Sequence, residues 1–376
     1  MEKNMKKKIN VIIVPQEYNQ ANHIELWQEM GSQSNNITIV VNIGADLFVS
    51  VIKKRFFRIK EAMQAPRLLK NNLILLRPLY ILRPEVSNNI INWLNIRLLK
   101  RSLKKIVPNI EEYQINLLHY GGIWSSLLDK LHPNINSYYY IMDEVRNDAH
   151  NNQMNAKRIM YDEIACKNGK FLYLMSSKLT DNREEYLHKL KVVGNGATQK
   201  EYDMDIKPIQ NSVGIIGNIR DWIDCDLLEG LIQSRQDIKF GFVGNIENNM
   251  QSYMEHLTSM YNNVEYYGKV NKSEIHNWYR KFNAIIVPYK QNEFMKATRP
   301  IKIVESIFAS TPVVTIPVAG YNECAFIKFA KSIDEFSSKL DIVINNKIDI
   351  ESKEYKNFIK FNSWSYKAEE ILSEFE

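Results

Sequence analysis

The chain has 376 residues, more than a single hydrophobic core normally serves, and this length predicts two domains. Hydrophobic residues make up 45% of the sequence and are spread along it, which excludes a disordered or fibrous protein. The net charge of +6 comes without a recognisable nucleic-acid-binding module, so nucleic acid is not an expected partner.

The sequence begins with basic residues, Lys3 to Lys8, and a short apolar run that Gln16 and Glu17 end. This pattern favours a first buried strand over a signal sequence, and no apolar stretch approaches the roughly 20 residues that cross a bilayer. Three scattered cysteines predict neither a disulfide nor a zinc site. These are Cys166, Cys225 and Cys324. We therefore expect a cytoplasmic protein.

Short apolar runs alternate with longer amphipathic stretches, the pattern of βα units around a parallel sheet. Residues 88–106 place apolar side chains at helical spacing and predict a helix that covers the first sheet. The strands predicted in the first half are Ile9–Val14, Ile37–Val41, Leu73–Leu76, Ile115–His119, Ser137–Ile141 and Phe171–Met175.

The polar segment Thr198–Asn211 lacks a periodic pattern and marks a domain boundary. We predict an N-terminal domain over residues 1–200 and a C-terminal domain over residues 201–352. Residues 353–376 are predicted to be a helix that returns to the first domain. The strands predicted in the second domain are Val213–Ile216, Ile238–Val243, Val264–Tyr267, Ala284–Val287 and Pro312–Ile316.

Two glycine-containing loops follow consecutive predicted strands of the second domain. The first reads Gly217-Asn218-Ile219 and the second reads Gly244-Asn245. Glycine lets backbone N–H groups approach a phosphate closely, and ligands of open α/β sheets bind at the carboxyl ends of the strands. The alternative for either loop taken alone is a plain tight turn.

A third element of the second domain combines two cations and a carboxylate near the start of a predicted helix. Arg299 and Lys302 are suited to neutralise a diphosphate, and Glu305, one turn later, is suited to accept hydrogen bonds from ribose hydroxyls. Pro300 fits the first turn of this helix. Helix capping and surface ion pairing form the alternative interpretation.

Two carboxylates, Asp143 and Glu144, end an apolar strand of the first domain abruptly. A carboxylate at the mouth of the sheet can deprotonate an acceptor hydroxyl, especially when partial burial raises its pKa, and Asp143 is the preferred base. The alternative is a helix N-cap. Glu163, on a predicted helix, is a weaker candidate for the same region.

Several other motifs are discounted. Asp203-Met204-Asp205 and Asp224-Cys225-Asp226 match a metal-binding DxD pattern but follow the wrong kind of element, so no required metal is predicted. Gly194-Asn195-Gly196 lacks the third glycine of a dinucleotide-binding loop, which argues against a nicotinamide or flavin cofactor. His119, His132 and His150 share no ligand spacing.

Much of the positive charge lies in two segments of the first domain. These are either solvated helix faces or a contact with anionic headgroups at the inner face of a membrane. The first contains Lys53, Lys54, Arg55, Arg58 and Lys60, and the second contains Arg97, Lys100, Arg101, Lys104 and Lys105.

The chain resembles GT-B glycosyltransferases of the GT4-like type, particularly the branch that builds cell-surface polysaccharides such as teichuronic acid and xanthan. The likeness is carried by Asp143-Glu144, Glu163, Ser176-Ser177, Asn195-Gly196, Val213 to Asp224, Tyr267-Gly268-Lys269-Val270, Pro288-Tyr289, Pro300 to Pro317 and Asn362-Ser363-Trp364. It implies two Rossmann-like domains with a cleft between them. It also implies sugar transfer from a nucleotide diphosphate donor, with UDP as the default and GDP as the alternative, and adds Tyr267 and Lys269 to the donor-binding residues.

The resemblance further implies an acceptor that is a glycan or a polyprenyl-diphosphate-linked glycan, as in capsule or O-antigen synthesis. Two departures limit it. Ala297 stands where many GT4 enzymes have a first glutamate, which leaves the stereochemical outcome open, and Pro15 to Asn19 replaces a glycine-rich loop. Two alternatives remain: a non-hydrolysing nucleotide-sugar epimerase, and a catalytically silent binding subunit with the same fold.

Overall fold

The computed structural model describes residues 7–14, 23–42, 44–70, 72–82, 89–127, 131–146, 156–199, 206–271 and 274–375. These residues form two compact units. The first comprises the described residues up to Val193 together with those from Lys367 onward, and the second comprises Gly194–Tyr366. No helix within the described ranges is both long and apolar enough to cross a bilayer.

The first unit is built on a sheet of eight strands with the order β10-β9-β8-β7-β1-β2-β5-β4. All neighbours are parallel except β4, which runs antiparallel to β5, and the short strands β3 and β6 pair separately. The strands are β1 (Lys8–Ile13), β2 (Thr38–Val41), β3 (Ala45–Asp46), β4 (Arg67–Lys70), β5 (Leu73–Leu76), β6 (Leu79–Tyr80), β7 (Gln114–His119), β8 (Ile135–Ile141), β9 (Phe171–Leu174) and β10 (Leu190–Val192). The helices are α1 (Ile24–Gln33), α2 (Leu47–Ile52), α3 (Phe56–Met63), α4 (Asn89–Lys104) and α5 (Ala156–Asn168).

The central strands of this sheet are apolar runs because both of their faces are covered, as expected for a parallel sheet. Strand β1 pairs in register with β2 on one side and β7 on the other. Ile96, Leu99 and Leu103 of α4 join the strand residues in one core. The helix predicted over residues 88–106 therefore covers the sheet over Asn89–Lys104.

The second unit has a six-stranded sheet, entirely parallel, with the order β13-β12-β11-β14-β15-β16. Its strands are β11 (Ser212–Ile216), β12 (Lys239–Val243), β13 (Val264–Tyr266), β14 (Ala284–Val287), β15 (Val313–Thr315) and β16 (Ile327–Phe329). Its helices are α6 (Cys225–Ser234), α7 (Gln251–Met260), α8 (Ile275–Arg280), α9 (Glu293–Ala297), α10 (Ile301–Phe308), α11 (Ile333–Asn345), α12 (Lys353–Phe361) and the first residues of α13 (Trp364–Leu372).

The order of these six strands fixes where a ligand is expected. The chain runs outward from β11 through β12 to β13, then returns to β14 on the other side of β11. The strand order therefore reverses between β11 and β14. Crevices of open α/β sheets form at such a reversal, outside the carboxyl ends of the strands.

The division into units differs from the predicted boundaries at residues 200 and 353. Residues 194–199 belong to the second unit because the Ala197 N–H donates to the Asn362 carbonyl (2.9 Å) and Ala197 accepts from the Trp364 N–H (3.1 Å). Residues 353–376 contain two helices, and α12 belongs to the second unit. The last described residues return to the first unit, where the Tyr138 ring packs on Phe375 at 4.4 Å between ring centroids.

Candidate functional site

Three glycine turns lie at the carboxyl edge of the six-stranded sheet. Gly217 follows β11, Gly244 follows β12 and Gly268 follows β13, and their φ angles are 112°, 140° and 81°. The Gly217 N–H donates to the Val243 carbonyl (2.8 Å), and the Gly244 N–H donates to the Gly268 carbonyl (2.9 Å). Residues other than glycine rarely adopt such positive φ angles. The three turns therefore form one connected, tightly specified edge.

Gly244 packs directly against the backbone of Gly217. A Cβ atom at residue 244 would lie 2.0 Å from the Gly217 carbonyl oxygen, which no side chain can do. The buried Ile219 continues the connection, because its N–H donates to the Asn245 carbonyl (2.8 Å). Asn218 and Asn245 lie beside these bonds with exposed side chains. Both predicted glycine loops are thus parts of a single surface.

The ammonium group of Lys302 lies above the first of these turns. A Cβ atom at Gly217 would be only 3.2 Å from Lys302 Nζ, and Nζ is 5.0 Å from the centroid of the Tyr289 ring. Among the described residues no carboxylate forms an ion pair with Lys302. A cation over a glycine turn, beside the N-terminal turn of α10, is an arrangement that attracts a phosphate.

Glu305 lies one helical turn after Lys302, and a buried tyrosine orients it. The Tyr279 hydroxyl donates to Glu305 Oε2 at 2.8 Å. Burial of Tyr279, followed by the nearby charge of Glu305, raises the pKa of this hydroxyl well above its ordinary value, so it stays a donor. Sequence reasoning selected Glu305 but missed Tyr279, because nothing in its local pattern differs from that of an ordinary core residue.

Arg299 is held by the loops around it. Its Nη2 donates to Asn362 Oδ1 (2.8 Å), and its guanidinium lies 4.8 Å from the Tyr321 ring centroid. A Cβ at Gly194 would overlap the guanidinium, and one at Gly320 would lie 3.1 Å from Arg299 Cδ. These contacts account for Arg299 as a clamp between loops of the second unit. Lys302 is the better placed cation for a phosphate.

Tyr267 and Lys269 occupy different surroundings. The Tyr267 hydroxyl donates to Glu265 Oε2 (2.7 Å) and its ring packs on Trp278 at 4.9 Å. Desolvation and this carboxylate raise the pKa of Tyr267 to about 12. Lys269 is exposed. The preceding residue, Tyr266, donates to the Gly244 carbonyl (2.8 Å) and so supports the glycine turn, a role that its sequence did not signal.

In the first unit, Asp143 lies just beyond the end of β8. The residues after it form a turn at positions 145–146, so no helix begins there for Asp143 to cap. Its side chain is accessible to solvent, yet desolvation by the surrounding protein raises the pKa of the carboxyl above its ordinary value. It has no hydrogen-bond or ion-pair partner in the part of the chain that the structure describes. An unpaired carboxylate with a raised pKa suits proton abstraction.

The adjacent Glu144 has a different environment. Arg183, which is fully buried, donates to both Glu144 oxygens (3.3 Å each) and also pairs with Asp162 (3.0 Å). Arg146 pairs with Asp162 at 2.7 Å, and the Tyr139 hydroxyl donates to Asp162 Oδ1 at 3.0 Å. Burial opposes the charge of Arg183, but the two carboxylates more than compensate and raise its pKa. These contacts account for Glu144 as an anchor of the described residues just after β8.

Glu163 lines a cavity of about 540 Å³ in the first unit. The cavity also contacts Arg146, Arg183 and Tyr186, so it adjoins the ion-pair cluster around Asp162. No contact between Glu163 and Asp143 is present in the described ranges. The weaker prediction that Glu163 serves the same region therefore rests on this cavity alone.

The remaining motifs are accounted for in simpler ways. Asp224 accepts from the Leu227 N–H (3.1 Å) and caps α6, and His119 is buried between Ser137 Oγ (3.1 Å) and Ser125 Oγ (3.0 Å). No group of three or more potential metal ligands occurs among the described residues. Asp203–Asp205, His150 and the loop from Pro15 to Asn19 lie outside the described residues.

Comparison with known proteins agrees with this geometry. Residues 221–346, about a third of the chain, match the family described as glycosyl transferases group 1. This segment is therefore similar to group 1 glycosyltransferase domains. It contains Gly244, Arg299, Lys302 and Glu305, and Gly217 lies just before it.

One relative of this chain is TuaH of Bacillus subtilis, which is named as a teichuronic acid biosynthesis glycosyltransferase. It is 25% identical over 162 residues, which are 41% of this chain and 40% of TuaH. The match therefore spans less than half the length of that relative. It agrees with the resemblance to surface-polysaccharide transferases.

Two solved structures are similar to nearly the whole chain. One is HepE of Anabaena in complex with UDP and glucose, with a TM-score of 0.65 and 12% identity over 97% of this chain and 98% of HepE. The other is a trehalose-6-phosphate protein from E. coli bound with UDP-2-fluoro glucose, with a TM-score of 0.63 and 10% identity over 98% of each chain. At these identities the likeness shows the fold alone, and it confirms the predicted GT-B architecture.

Proposed function

We propose that the chain is a glycosyltransferase that moves a sugar from a nucleotide diphosphate donor, most simply a UDP-sugar, to a glycan or lipid-linked glycan. The observation that carries this proposal is the cluster at the carboxyl edge of the second sheet. There Lys302 Nζ lies above the Gly217 turn and Glu305 follows one helical turn later, within and beside a group 1 domain.

In this proposal the diphosphate lies against the Gly217 and Gly244 turns. Lys302 neutralises its charge, and the start of α10 adds the positive end of a helix dipole. Glu305 accepts hydrogen bonds from the ribose hydroxyls, in an orientation that its bond from Tyr279 maintains. Asn218, Asn245 and Lys269 have exposed side chains that are available to the rest of the donor.

The first unit supplies the base. Asp143 takes the proton of the acceptor hydroxyl as its oxygen attacks the anomeric carbon and the nucleotide diphosphate leaves. The raised pKa of Asp143 brings its basicity closer to that of a useful general base at neutral pH. No metal or other cofactor takes part in this proposal, and transfer should persist in EDTA.

The match to TuaH supports an acceptor of the surface-polysaccharide kind, as in capsule or O-antigen synthesis, and the basic segments of the first unit support contact with an anionic membrane. Both belong to the proposal. A lipid-linked acceptor would bring the enzyme to the cytoplasmic face of the membrane.

Incubation of the protein with radiolabelled nucleotide sugars and a membrane lipid extract tests this function. Radioactivity that enters the lipid fraction supports a transferase. Conversion of the free donor into a second nucleotide sugar would instead identify an epimerase, and nucleotide binding without turnover would identify a silent binding subunit. The Asp143→Asn variant is the matched control, because it keeps the donor-binding edge intact.

A further inference from the structure

The corner between α2 and α3 of the first unit exposes an unusual stretch of chain. Every residue from Val51 to Phe57 is exposed, and Phe48 precedes them on α2. Phe48, Ile52, Phe56 and Phe57 expose 60%, 64%, 53% and 59% of their surface. We call Phe48 and residues 51–57 the basic–apolar surface, because Lys53, Lys54 and Arg55 lie among the apolar side chains.

Hydrogen bonds hold the backbone of this corner in a defined conformation. Asp46 caps α2 by accepting from the Val49 N–H (2.9 Å), and the Arg55 N–H donates to the carbonyl of the buried Ser50 (2.7 Å). Lys54 has a φ of 52°, which allows the tight change of direction between α2 and α3. The backbone therefore holds the apolar side chains outward.

The exposed apolar area is larger than scattered surface residues would give. Phe48, Phe56 and Phe57 are each more than half exposed. Because an aromatic side chain has a surface of about 150–250 Å², the three together expose roughly 300 Å² of apolar surface. The largest exposed apolar patch of a monomeric protein is typically about 300–600 Å² and often serves a contact with a protein or a membrane, so these phenylalanines are a candidate contact. Helix α3 has no buried residue, so its surface does not serve the core.

The positive charge on the same corner favours a membrane over a protein as the partner. Lys53, Lys54 and Arg55 are exposed, and none forms an ion pair with a described residue. A second copy of the chain would bring these like charges together. Aromatic and aliphatic side chains mixed with lysine and arginine are instead the composition that enters the headgroup region of an anionic bilayer.

We propose that the basic–apolar surface inserts into an anionic lipid bilayer, with the phenylalanines below the headgroups and the three cations at their level. This assigns the contact to the first basic segment. The second segment differs, because Lys104 pairs with Glu111 (2.5 Å) and the Arg97 guanidinium stacks on Trp93 at 3.6 Å. The inference refines the membrane contact of the proposed function, but vesicle binding is measured without sugar transfer, so either can fail while the other holds.

Sedimentation of the full chain with vesicles tests the proposal. One set of vesicles is phosphatidylcholine with about a third phosphatidylglycerol, which carries the surface charge that attracts cations, and the other is phosphatidylcholine alone. We expect binding to the anionic set, with a residual part that survives high salt because apolar insertion is not screened. Binding that high salt abolishes completely would overturn insertion.

Three variants assign the contact. Phe48→Ser/Phe56→Ser/Phe57→Ser should lower vesicle partition at least about 100-fold at both salt concentrations, since three large apolar side chains lose their burial. Lys53→Gln/Lys54→Gln/Arg55→Gln should lower it about 100-fold at low salt only, at roughly fivefold per charge.

The matched control removes the same charge from the second segment, in Arg101→Gln/Lys104→Gln/Lys105→Gln, and should change partition by less than about fivefold. An equal loss in this control would overturn the assignment to the α2–α3 corner. Sedimentation velocity without lipid completes the test. A dimer that the phenylalanine variant dissociates, without vesicle binding by the wild type, would show a protein interface and refute the proposal.

Discussion

Replacement of Gly244 by alanine tests the donor-binding edge most directly. The new Cβ would lie 2.0 Å from the Gly217 carbonyl oxygen, and the residue would have to keep a φ of 140°. The backbone strain alone costs about 1–3 kcal/mol. The overlap is with backbone rather than a flexible side chain, so the Gly217 turn has to move by about 1.4 Å for the distance to grow from 2.0 Å to the ordinary contact distance of 3.4 Å.

Such a shift changes the relation of the turn to Lys302, whose Nζ lies just above Gly217. A displacement of about 1 Å at a preorganised site can cost up to 10²-fold. We therefore expect Gly244→Ala to weaken UDP binding at least tenfold, measured by isothermal titration calorimetry, and to lower the thermal unfolding midpoint.

Gly268→Ala is the matched control. Gly268 also has a positive φ, 81°, but a Cβ there would meet nothing within 4 Å, so only backbone strain of about 1–2 kcal/mol applies. This variant should lose stability and keep its UDP affinity within about twofold. Equal affinities in Gly244→Ala and Gly268→Ala would refute the reasoning. If Gly244→Ala does not fold, Gly217→Ala, which meets only the flexible end of Lys302, should give a smaller but measurable loss of affinity.

Three further results are expected. Lys302→Ala and Glu305→Ala should each weaken UDP binding about tenfold or more in calorimetry, because each removes a charge-assisted hydrogen bond. The control Lys347→Ala, at an exposed lysine, should leave UDP affinity unchanged. Unchanged affinities in the first two variants would contradict the assignment of these residues to the donor site. Asp143→Asn should lower turnover by about 10²- to 10⁴-fold at unchanged UDP affinity, and near-normal transfer would return the role of base to another group. Because desolvation raises the pKa of this carboxyl, the acid limb of the wild-type pH–rate profile should lie above the usual aspartate pKa of 3.8. Burial lowers the pKa of His119 to about 4, so the free energy of unfolding should fall by about 3 kcal/mol as the pH drops from 6.5 to 4 and the histidine becomes protonated. Urea unfolding of His119→Gln should lack this part of the pH dependence.

The sequence predicted the long buried strands well, because covered parallel strands are uninterrupted apolar runs. It missed β3, β4, β6, β10 and β16, which have only two to four residues and therefore a weak apolar pattern. Strands β4, β10 and β16 are edge strands of the two sheets, and β3 and β6 pair only with each other. The division near residue 194 was also missed. It depends on hydrogen bonds between Ala197 and residues that are more than 160 positions away in the chain.

The donor-binding edge was predictable in its parts because its residues follow strands, and the carboxyl ends of parallel strands meet at one edge. The partners of these residues were not. Tyr279 orients Glu305 from a different helix, and Asn362 holds Arg299 from a segment far along the chain. Such pairings are set by tertiary packing, and the local pattern of a tyrosine or an asparagine does not distinguish them from core or capping residues.

The two carboxylates after β8 show how such packing separates neighbouring residues of like chemistry. Glu144 receives both Nη atoms of the fully buried Arg183, and Asp162 joins this arginine to Arg146 and to Tyr139 on β8 itself. The loss of one partner from a buried ion pair costs about 3–5 kcal/mol, so this connection holds residues 144–146 in place. Asp143 lies between Tyr139 and Glu144, and both are fixed by the cluster. Its own carboxylate has no partner among the described residues, whereas the neighbouring Glu144 pairs with the buried Arg183. A partly desolvated carboxylate without a partner, next to an anchored residue, therefore supports the proposal that Asp143 is the base.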